Sequence, residues 1–355
     1  MKPTRQLKDL KVVFIYLNFA ARNNPNNKIS HIGLGNAAAA TSRTLKDNGI
    51  EAEVWPVAIP EDIEERLEQE IAEGKKKPTH IIISAPWVPI KFLAHMCKKH
   101  NEINYITLSH SVPAFLAADR GGISLLRQGV VLEKNVDNYY IAGNSQKFSN
   151  WASLAYGVEV PFLPNLYYIG DMKLEDHRHH NNGVLKIGSF GAIRPLKNQI
   201  TAAATAVEIG KRLGRHTEFW LNSGRNEGGG FGLNAIEQLV GRIEGFQLKL
   251  LPWEIWERFR DQVGKMDLLI QPSDTESFCM VVADGMWKGV PSVVSNAIEW
   301  TPKNWQEGII DDPSSLADVG ISLLKNRKQE AKNGQKALKK YVRDGIIEWK
   351  KFLLK

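Results

Sequence analysis

The sequence predicts an α/β protein built from two doubly wound, parallel-sheet domains, and three observations support that prediction. The chain has 355 residues, more than one hydrophobic core usually accommodates. Short apolar runs rich in β-branched residues alternate with helical patterns, as in repeated βα units. This alternation breaks at a polar, histidine-rich stretch over residues 171–183 and then starts again. We therefore predict an N-terminal domain over 1–170, a linker over 171–183 and a C-terminal domain over 184–334.

The N-terminal half carries apolar runs that predict strands. They lie at residues 10–18, 51–56, 80–85, 105–109, 138–142 and, as a short one, 160–163. Helical patterns lie between them, for example over 36–48 and over the acidic segment 60–73. This alternation favours a parallel sheet over a β-sandwich.

The C-terminal half repeats the same alternation and is a nucleotide-binding fold candidate of its own. Strands are predicted at residues 185–190, 218–222, 247–250, 267–271 and 292–294. Helices are predicted at 198–213, 232–243, 253–263 and 279–288.

A last helix is predicted over residues 335–355. Leu338, Val342, Ile346, Trp349 and Leu353 recur at steps of three and four, so one helix face is apolar. This narrow stripe predicts packing of the helix against the rest of the protein. The basic opposite face would also suit an anionic membrane surface.

Composition excludes several classes of protein. The only cysteines, Cys97 and Cys279, are both predicted to lie in helices and are too few for a disulfide framework or a cysteine metal site. No apolar run approaches the ~20 residues that span a bilayer, and the N-terminal segment is charged, so we expect a cytoplasmic protein. The formal charge of +7 is compatible with a phosphate-rich donor, a nucleic acid or an anionic membrane surface, and it selects none of them.

The densest cluster of residues that could take part in binding or catalysis lies over 271–291. A predicted strand ends at Gln271, a turn carries Glu276, and a helix is predicted to begin around Ser277. The free N–H groups of such a helix end form an anion site at the carboxyl edge of a sheet. Asp284 lies eight residues after Glu276, so two helical turns would place both carboxylates on one side of the helix.

This cluster resembles the signature of the large retaining GT-B glycosyltransferase family, which includes many bacterial polysaccharide and sucrose-type enzymes. That signature is a glutamate, seven residues and a second acidic residue, within Pro-Ser-x-x-Glu-x-Phe and followed by Gly-Val-Pro. The sequence here reads Pro272-Ser-Asp-Thr-Glu276-Ser-Phe278, then Asp284, then Gly289-Val-Pro291. The resemblance implies two facing Rossmann-like domains, with a nucleotide-sugar donor bound by the C-terminal one.

The resemblance also implies a role for each residue of the cluster. Glu276 would contact hydroxyls of the donor sugar, and Asp284 would contact the nucleotide ribose. The amides of Ser277, Phe278 and Cys279 would hold the diphosphate. Glutamate is usual at the position of Asp284, and the shorter aspartate would hold the ribose less well or through water.

A second match to the family lies over residues 188–199. Resembling enzymes end the first strand of this domain in Gly-Arg-Leu-x-x-x-Lys-Gly or Lys-Asn, whose arginine and lysine clamp the donor diphosphate. The sequence reads Gly-Ser-Phe-Gly191-Ala192-Ile-Arg194-Pro-Leu-Lys197-Asn-Gln. Lys197 falls on the pattern and Gly191 is placed at the donor, but Ala192 stands where the family has its arginine. We expect Arg194 to replace it, because a diphosphate leaving group needs a pair of cations; the alternative is a solvated surface arginine.

Further candidates follow from the same resemblance. Trp253 stands where the family recognises the base, although core packing is the default for a tryptophan. In the first domain, Gly33, Gly35 and Asn36 lie where the family has a glycine-rich loop facing donor and acceptor; the glycines alone could simply shape a turn. His110 follows a predicted strand, where the family places a histidine that contacts the donor sugar.

The resemblance implies transfer with retention of configuration from a donor that we expect to be UDP-linked, with the departing phosphate helping to deprotonate the acceptor. No Asp-x-Asp motif occurs in the sequence, so a metal-bridged diphosphate has no motif to support it and we expect no metal requirement. The histidines over 177–180 have no partnering acid cluster, and we interpret them as a solvated loop rather than a metal site.

The acceptor stays open at this point. A 5-hydroxymethylated pyrimidine in DNA, as for some phage-type GT-B enzymes, fits the basic charge and the polar loop 20–28 with Arg22 and Lys28. A saccharide or lipid-linked acceptor for a surface polysaccharide is the commoner role among resembling enzymes. GT-B folds also host nucleotide-sugar epimerases, and a non-catalytic nucleotide-binding or nucleic-acid-binding protein is a further alternative.

Overall fold

The structure is a computed structural model that describes residues 6–18, 32–118, 120–170, 172, 183–226 and 231–355. The chain divides into two compact units. The first comprises the described part of Met1–Tyr168 together with Val342–Lys355, and the second comprises the described part of Ile169–Tyr341. Most of the predicted linker over 171–183 lies outside the described residues.

The first unit contains a five-stranded parallel sheet in the order β2-β1-β3-β4-β5. Its strands are β1 (Lys11–Leu17), β2 (Glu51–Val57), β3 (His80–Ser84), β4 (Asn104–Ser109) and β5 (Tyr139–Gly143). Strands β1, β3, β4 and β5 are largely buried, because helices cover both sheet faces.

Helices of the described residues lie beside this sheet, in addition to the end of the last helix. They are α1 (Ile32–Asp47), α2 (Glu61–Ala72), α3 (Ile90–Lys99), α4 (Pro113–Ala118), α5 (Arg120–Glu133) and α6 (Gln146–Tyr156). One apolar core lies on each sheet face: Ile81 and Tyr105 belong to one, and Phe14 and Ile82 belong to the other. This division follows the alternation of side chains along each strand.

The second unit repeats the architecture with a five-stranded parallel sheet in the order β10-β9-β6-β7-β8. Its strands are β6 (Leu185–Ser189), β7 (Thr217–Asn222), β8 (Phe246–Leu251), β9 (Leu268–Gln271) and β10 (Ser292–Val294). Its helices are α7 (Gln199–Leu213), α8 (Phe231–Val240), α9 (Trp256–Gly264), α10 (Met280–Lys288) and α11 (Pro313–Lys325).

The last helix, α12 (Arg327–Leu353), begins eight residues before the predicted start at Gln335. Its final turns belong to the first unit, where the Trp349 indole donates to the Pro164 carbonyl at 2.8 Å and packs edge-on against Phe14. The expected packing of this helix against the protein is therefore confirmed. Among the described residues, no helix is both long and apolar enough to cross a membrane.

One predicted strand is wrong. Residues 160–163 form only a single bridge, between Gly143 and Phe162, rather than a strand. The bridge lies at the free edge of β5, where two backbone bonds hold the segment: Gly143 N–H donates to Pro161, and Leu163 N–H donates to Gly143. The segment has the apolar composition of a strand but pairs over too short a length to form one.

The strand order of the second sheet has a switch point between β6 and β9. β6 lies between β9 and β7, so the chain leaves β6 and β9 toward opposite sides of the sheet. In open α/β sheets, ligands bind at the carboxyl ends of the strands that flank such a switch point. We therefore expect a ligand-binding site in the loops that follow β6 and β9.

Candidate functional site

The loops after β6 and β9 are joined directly at the edge of the second sheet. Asp274 N–H donates to the Leu196 carbonyl at 3.0 Å, and the Gln271 side-chain amide donates to the Phe190 carbonyl at 3.3 Å. The two sequence motifs, 188–199 and 271–291, thus form one local structure although about 80 residues separate them.

A buried ion pair lies at the centre of this structure. The Lys197 ammonium donates to Oε1 of Glu276, and both side chains are about nine-tenths buried. Ser273 Oγ, which is fully buried, donates to the same Glu276 oxygen at 3.1 Å. The two charged residues that the sequence placed at the donor are therefore in contact, and a third polar group holds the carboxylate.

The charges around Lys197 determine its protonation. Burial lowers the pKa of Lys197, but the adjacent Glu276 carboxylate outweighs burial and holds that pKa above its ordinary value. The positive charge of Arg194 acts against this rise. Lys197 remains a cation at neutral pH.

The helix that follows this loop begins later than the sequence predicted. The start expected around Ser277 is wrong, since α10 begins at Met280 and its N-cap is Cys279. Cys279 has φ +67°, a left-handed conformation that is uncommon for a residue other than glycine. Residues 277–279 form an irregular turn before the helix, so their amides do not have the directions of a regular first helical turn.

Cys279 is also wrongly predicted as helical, because it precedes the helix. Burial raises the pKa of its thiol to about 12. The thiol therefore stays protonated at neutral pH and does not act as a thiolate nucleophile.

Three aromatic side chains pack together beside this turn: Phe278, Trp300 and Tyr341. Phe278 stacks on Trp300 with ring centroids 5.0 Å apart and also contacts Tyr341 at 5.2 Å. The Trp300 indole N–H donates to the Phe278 carbonyl at 2.8 Å. The side chain of Phe278 is thus a buried anchor, and its peptide group is fixed by a hydrogen bond.

The second acidic residue, Asp284, is 1 % exposed in the middle of α10. The Trp256 indole N–H donates to Asp284 Oδ1 at 2.8 Å. The Arg260 guanidinium lies 4.6 Å from the ring centroids of both Trp256 and Trp287, a cation–π arrangement. The prediction that Glu276 and Asp284 share one side of a helix is wrong, because Glu276 lies four residues before α10 begins.

Arg194 is half-buried in extended backbone, and its N–H donates to the Gln199 side chain at 3.4 Å. Gly191 has φ +108°, a conformation that favours glycine, and its N–H donates to the Asn222 side chain at 3.0 Å. Ala192 cannot supply a cation, so Arg194 is the arginine that this loop offers.

Trp253 is half-buried and lies after β8, at the carboxyl edge of the sheet. A Cβ atom placed on Gly224 would lie 2.8 Å from the Trp253 Cβ, so Gly224 allows the segment after β8 to approach the segment after β7. The predicted helix over 253–263 begins instead at Trp256. Trp253 therefore lies on a connecting segment rather than on a helix.

His110 lies where the sequence placed it, directly after β4. Its Nδ1 is 3.1 Å from the Asn144 amide nitrogen, which can only donate, so the neutral ring carries its proton on Nε2. Nε2 is buried and has no hydrogen-bond partner in the described part of the chain. Burial lowers the pKa of His110 to about 4, so the ring is neutral at physiological pH.

The glycine-rich loop predicted for the first unit is wrong, because these residues are helical. Gly33, Gly35 and Asn36 lie in the first turns of α1, which begins at Ile32, and neither glycine has positive φ. A Cβ on Gly35 would lie 3.1 Å from the Tyr16 ring, whereas a Cβ on Gly33 would have nothing within 4 Å. Gly35 thus serves close packing, and Gly33 leaves open space. The polar loop over 20–28 and the histidines over 177–180 lie outside the described residues.

Sequence reasoning missed four residues of this site: Ser273, Trp256, Arg260 and Trp300. Only Ser273 carries a signal, since it belongs to the Pro-Ser part of the motif. The other three are brought to the site by packing from α9 and from the segment after β10. The described residues contain no group of three or more histidine, cysteine, aspartate or glutamate side chains placed to hold a metal ion.

No family model matches the sequence, and no curated protein matches it. Solved structures do match. Sucrose-phosphate synthase from Thermosynechococcus elongatus matches with a TM-score of 0.64 and 12% identity, over 97% of this chain and 98% of that one. The catalytic domain of starch synthase IV from Arabidopsis thaliana, bound to ADP and acarbose, matches with a TM-score of 0.63 and 11% identity, over 94% and 95%.

A TarM variant from S. aureus, in complex with fondaparinux, alpha-GlcNAc-glycerol and UDP, matches with a TM-score of 0.56 and 13% identity. The match covers 77% of this chain, which spans 55% of the TarM chain. Identities this low establish the fold alone. With its two five-stranded parallel sheets and these matches, the chain has the GT-B fold, as the sequence predicted.

Proposed function

We propose that this chain is a retaining glycosyltransferase that takes a sugar from a nucleotide diphosphate donor bound by the second unit. The observation that carries the proposal is the buried Lys197–Glu276 pair at the switch point of the second sheet. A cation and a carboxylate in contact at that edge match the two parts of a nucleotide sugar, an anionic diphosphate and a hydroxyl-rich ring.

On binding, the donor would replace Glu276 as the partner of Lys197, and Lys197 as the partner of Glu276. A β-phosphate oxygen would accept from the Lys197 ammonium, and sugar hydroxyls would then donate to the Glu276 carboxylate. Ser273 keeps the carboxylate in place while this exchange occurs, since it donates from a fully buried position. The ion pair thus holds both groups in position before the donor arrives, which reduces the reorganisation needed on binding.

Leaving-group stabilisation would supply most of the catalysis. The bond between the anomeric carbon and the β-phosphate oxygen breaks, and both electrons remain on that oxygen. Lys197, Arg194 and the amides of residues 277–279 would stabilise the resulting charge. The acceptor oxygen forms the new bond on the same face of the sugar, and its proton passes to the departing phosphate. This route uses no side chain as a general base and, we propose, no metal ion.

Residues of the first unit would handle hydroxyl groups. We propose that the neutral His110 ring donates from Nε2–H to a hydroxyl of the donor sugar. Its buried Nε2, without a partner among the described residues, supports this role. Gly33, with open space beside it, and Asn36, half-exposed on the same helix, are proposed to lie on the acceptor side.

For the nucleotide we propose uridine diphosphate, with Trp253 as a wall of the base pocket and Asp284 near the ribose. Support comes from the UDP in the TarM complex, although the starch synthase IV structure contains ADP. Gly224, which allows the segments after β7 and β8 to lie together, shapes the same corner of the unit.

For the acceptor we propose a 5-hydroxymethylated pyrimidine in DNA. Support comes from the formal charge of +7, since a polyanionic acceptor favours a basic protein. A saccharide acceptor is the second candidate, and the names of the matching sucrose-phosphate and starch synthases favour it.

The experiment is a matrix of donors and acceptors. The full chain is incubated with UDP-, ADP- and GDP-linked hexoses and pentoses, and with DNA that contains 5-hydroxymethylcytosine or unmodified cytosine. Nuclease digestion and mass spectrometry then detect a hexose or pentose added to the nucleoside. A parallel series with chelator tests the metal-free route, and Glu276→Ala is the inactive control.

An adduct on the hydroxymethylated nucleoside alone supports the DNA acceptor. Absence of an adduct with every donor would discard that acceptor and direct the search to saccharides. Release of nucleotide with an epimerised sugar, and no transfer, would instead indicate an epimerase. If Glu276→Ala transfers sugar as well as the unchanged chain, the donor site is misassigned.

A further inference from the structure

The outer face of α12 carries a row of lysines that the donor site does not use. Lys328, Lys332, Lys336 and Lys339 are exposed and recur at steps of four, four and three residues. We name these four residues the α12 lysine stripe. The opposite face of the same helix is buried, with Leu338 fully inaccessible. At about 1.5 Å rise per residue, the stripe is roughly 17 Å long.

Some exposed lysines of this chain have an acidic partner, whereas others, such as Lys46 and Lys91, have none among the described residues. The stripe belongs to the second kind and is distinguished by its alignment on one helix face. Lys77 lies 2.6 Å from Glu102, Lys99 lies 2.7 Å from Glu64, and Lys355 lies 2.7 Å from Glu159. Within the described ranges, by contrast, none of the four stripe lysines has a carboxylate within 4.0 Å. The stripe is therefore a set of aligned positive charges that no neighbouring acid compensates.

The arrangement opposes the stability of the helix that carries it. Like charges four residues apart destabilise a helix by about 0.2–0.5 kcal/mol per pair, and the stripe contains two such pairs. Lys328 also lies in the first turn, beside the positive end of the helix dipole. Residues that lower the stability of the helix that carries them are expected where a surface binds a partner.

The surroundings of the stripe favour a nucleic acid over a membrane. A helix that inserts into a lipid interface needs large apolar side chains beside its basic ones. Ile347 is the exposed large apolar residue of α12, and it lies beyond the end of the stripe. The stripe is flanked instead by small or polar residues such as Gln329, Ala331 and Asn333. Contact through charge alone is how lysines bind the phosphates of duplex DNA.

We propose that the α12 lysine stripe binds the phosphate backbone of the duplex DNA that carries the acceptor base. This inference rests on the proposed function for the identity of the acceptor, but not for the chemistry of the stripe. The stripe would provide affinity without sequence preference, and the donor site would provide the chemistry. Four lysines that neutralise four phosphates predict a change of about four in the slope of log K against log salt concentration.

The test compares two quadruple variants of the full chain. The stripe variant is Lys328→Gln, Lys332→Gln, Lys336→Gln and Lys339→Gln, since glutamine keeps a good helix former at each position. The control variant is Lys46→Gln, Lys91→Gln, Lys98→Gln and Lys265→Gln, which removes the same charge from exposed positions elsewhere. Binding of a fluorescently labelled 30-base-pair duplex is followed by anisotropy from 50 to 300 mM KCl.

We expect the stripe variant to bind the duplex at least 10-fold more weakly than the unchanged chain and with a clearly lower salt slope. The control variant should change by less than about threefold, because non-specific charge alone acts uniformly. Equal weakening in both variants, or none in the stripe variant, would overturn the proposal. Loss of binding to phosphatidylserine vesicles with unchanged binding to DNA would also overturn it, in favour of a membrane surface.

UDP binding by calorimetry on the same variants separates this inference from the proposed function. The stripe variant should retain the UDP affinity of the unchanged chain, since the stripe does not touch the donor site. If no variant binds UDP while the stripe variant still loses DNA, the donor assignment fails and the DNA surface stands.

Discussion

The Trp300 indole N–H donates to the carbonyl of Phe278 at 2.8 Å, and this bond fixes the peptide group that precedes Cys279. In a trans peptide the carbonyl and the next N–H point in opposite directions. Holding the Phe278 carbonyl toward Trp300 therefore directs the Cys279 N–H away from the aromatic cluster. Cys279 also has φ +67°, so its backbone conformation needs such a restraint. Trp300 is thus a positioning residue for an amide that we propose to bind the diphosphate.

Replacing Trp300 with phenylalanine should keep the ring contact with Phe278 and lose the hydrogen bond. Without this restraint the Cys279 N–H would no longer be directed at the diphosphate, and one lost amide–phosphate hydrogen bond of about 1.4 kcal/mol corresponds to roughly a 10-fold loss of affinity. We expect the affinity for UDP to fall by about that factor and the affinity for uridine to stay unchanged, as calorimetry can measure. Trp220→Phe, which removes an indole bond to Glu218 on β7, is the matched control. Equal losses for UDP and uridine would indicate a general loosening of the unit instead.

The Lys197–Glu276 pair predicts a characteristic pattern of stability. Removing one member of a buried ion pair leaves an uncompensated charge and lowers the free energy of unfolding by about 3–5 kcal/mol. Lys197→Met and Glu276→Leu should each have that effect, whereas the double variant should recover more than half of the loss. Urea denaturation followed by tryptophan fluorescence measures this directly.

Donor binding separates the function of this pair from its contribution to stability. All three variants should lose UDP-sugar binding, because the cation and the carboxylate are both absent or misplaced. Lys11→Met breaks another buried ion pair, with Glu70 at 2.9 Å in the first unit, together with a pair to the half-buried Glu53 at 2.8 Å. That control should lose stability and keep UDP-sugar binding; if it also fails to bind, stability alone explains the effect.

The sequence predicted most of the fold because its signals are local. Buried parallel strands are apolar along their whole length, and the alternation with helices is regular. The sequence placed Lys197 and Glu276 in the loops that follow β6 and β9, where the structure has them, since the motifs fix their distance from each strand end. It could not predict that they form a buried ion pair, because contact between loops about 80 residues apart depends on strand order.

The errors have physical causes as well. The sequence from Glu276 to Asp284 carries no breaker that would mark an irregular turn, yet the left-handed Cys279 delays α10 to Met280. Trp256 and Trp300 follow no motif, so only their indole bonds to Asp284 and Phe278 reveal their roles. Gly33 and Gly35 have the composition of a loop, but packing of α1 over Tyr16 extends the helix through them.

His110 predicts a loss of stability in mild acid. Its folded pKa of about 4 lies below the ordinary value of 6.5, because burial disfavours the charged ring. The unfolded chain therefore binds the proton first, so stability is complete above pH 6.5 and is lost as pH falls toward 4. Between pH 6.5 and 4.5 the unchanged chain should lose stability more steeply than His110→Gln, as urea midpoints at each pH would show. His216→Gln, at an exposed position, should not flatten the profile in the same way.

The Asp284 carboxylate accepts a hydrogen bond from the Trp256 indole, whereas the family resemblance implies that it contacts the ribose of the donor. A carboxylate has about four acceptor sites, so the group that holds the indole can accept from a ribose hydroxyl as well. On that geometry the unchanged chain should bind UDP about 10-fold better than 2′-deoxy-UDP and 3′-deoxy-UDP, and Asp284→Ala should bind all three alike. Trp256→Phe keeps the carboxylate and should therefore retain the discrimination. Should Asp284→Ala still prefer UDP, the carboxylate acts only by holding Trp256, and another group contacts the ribose.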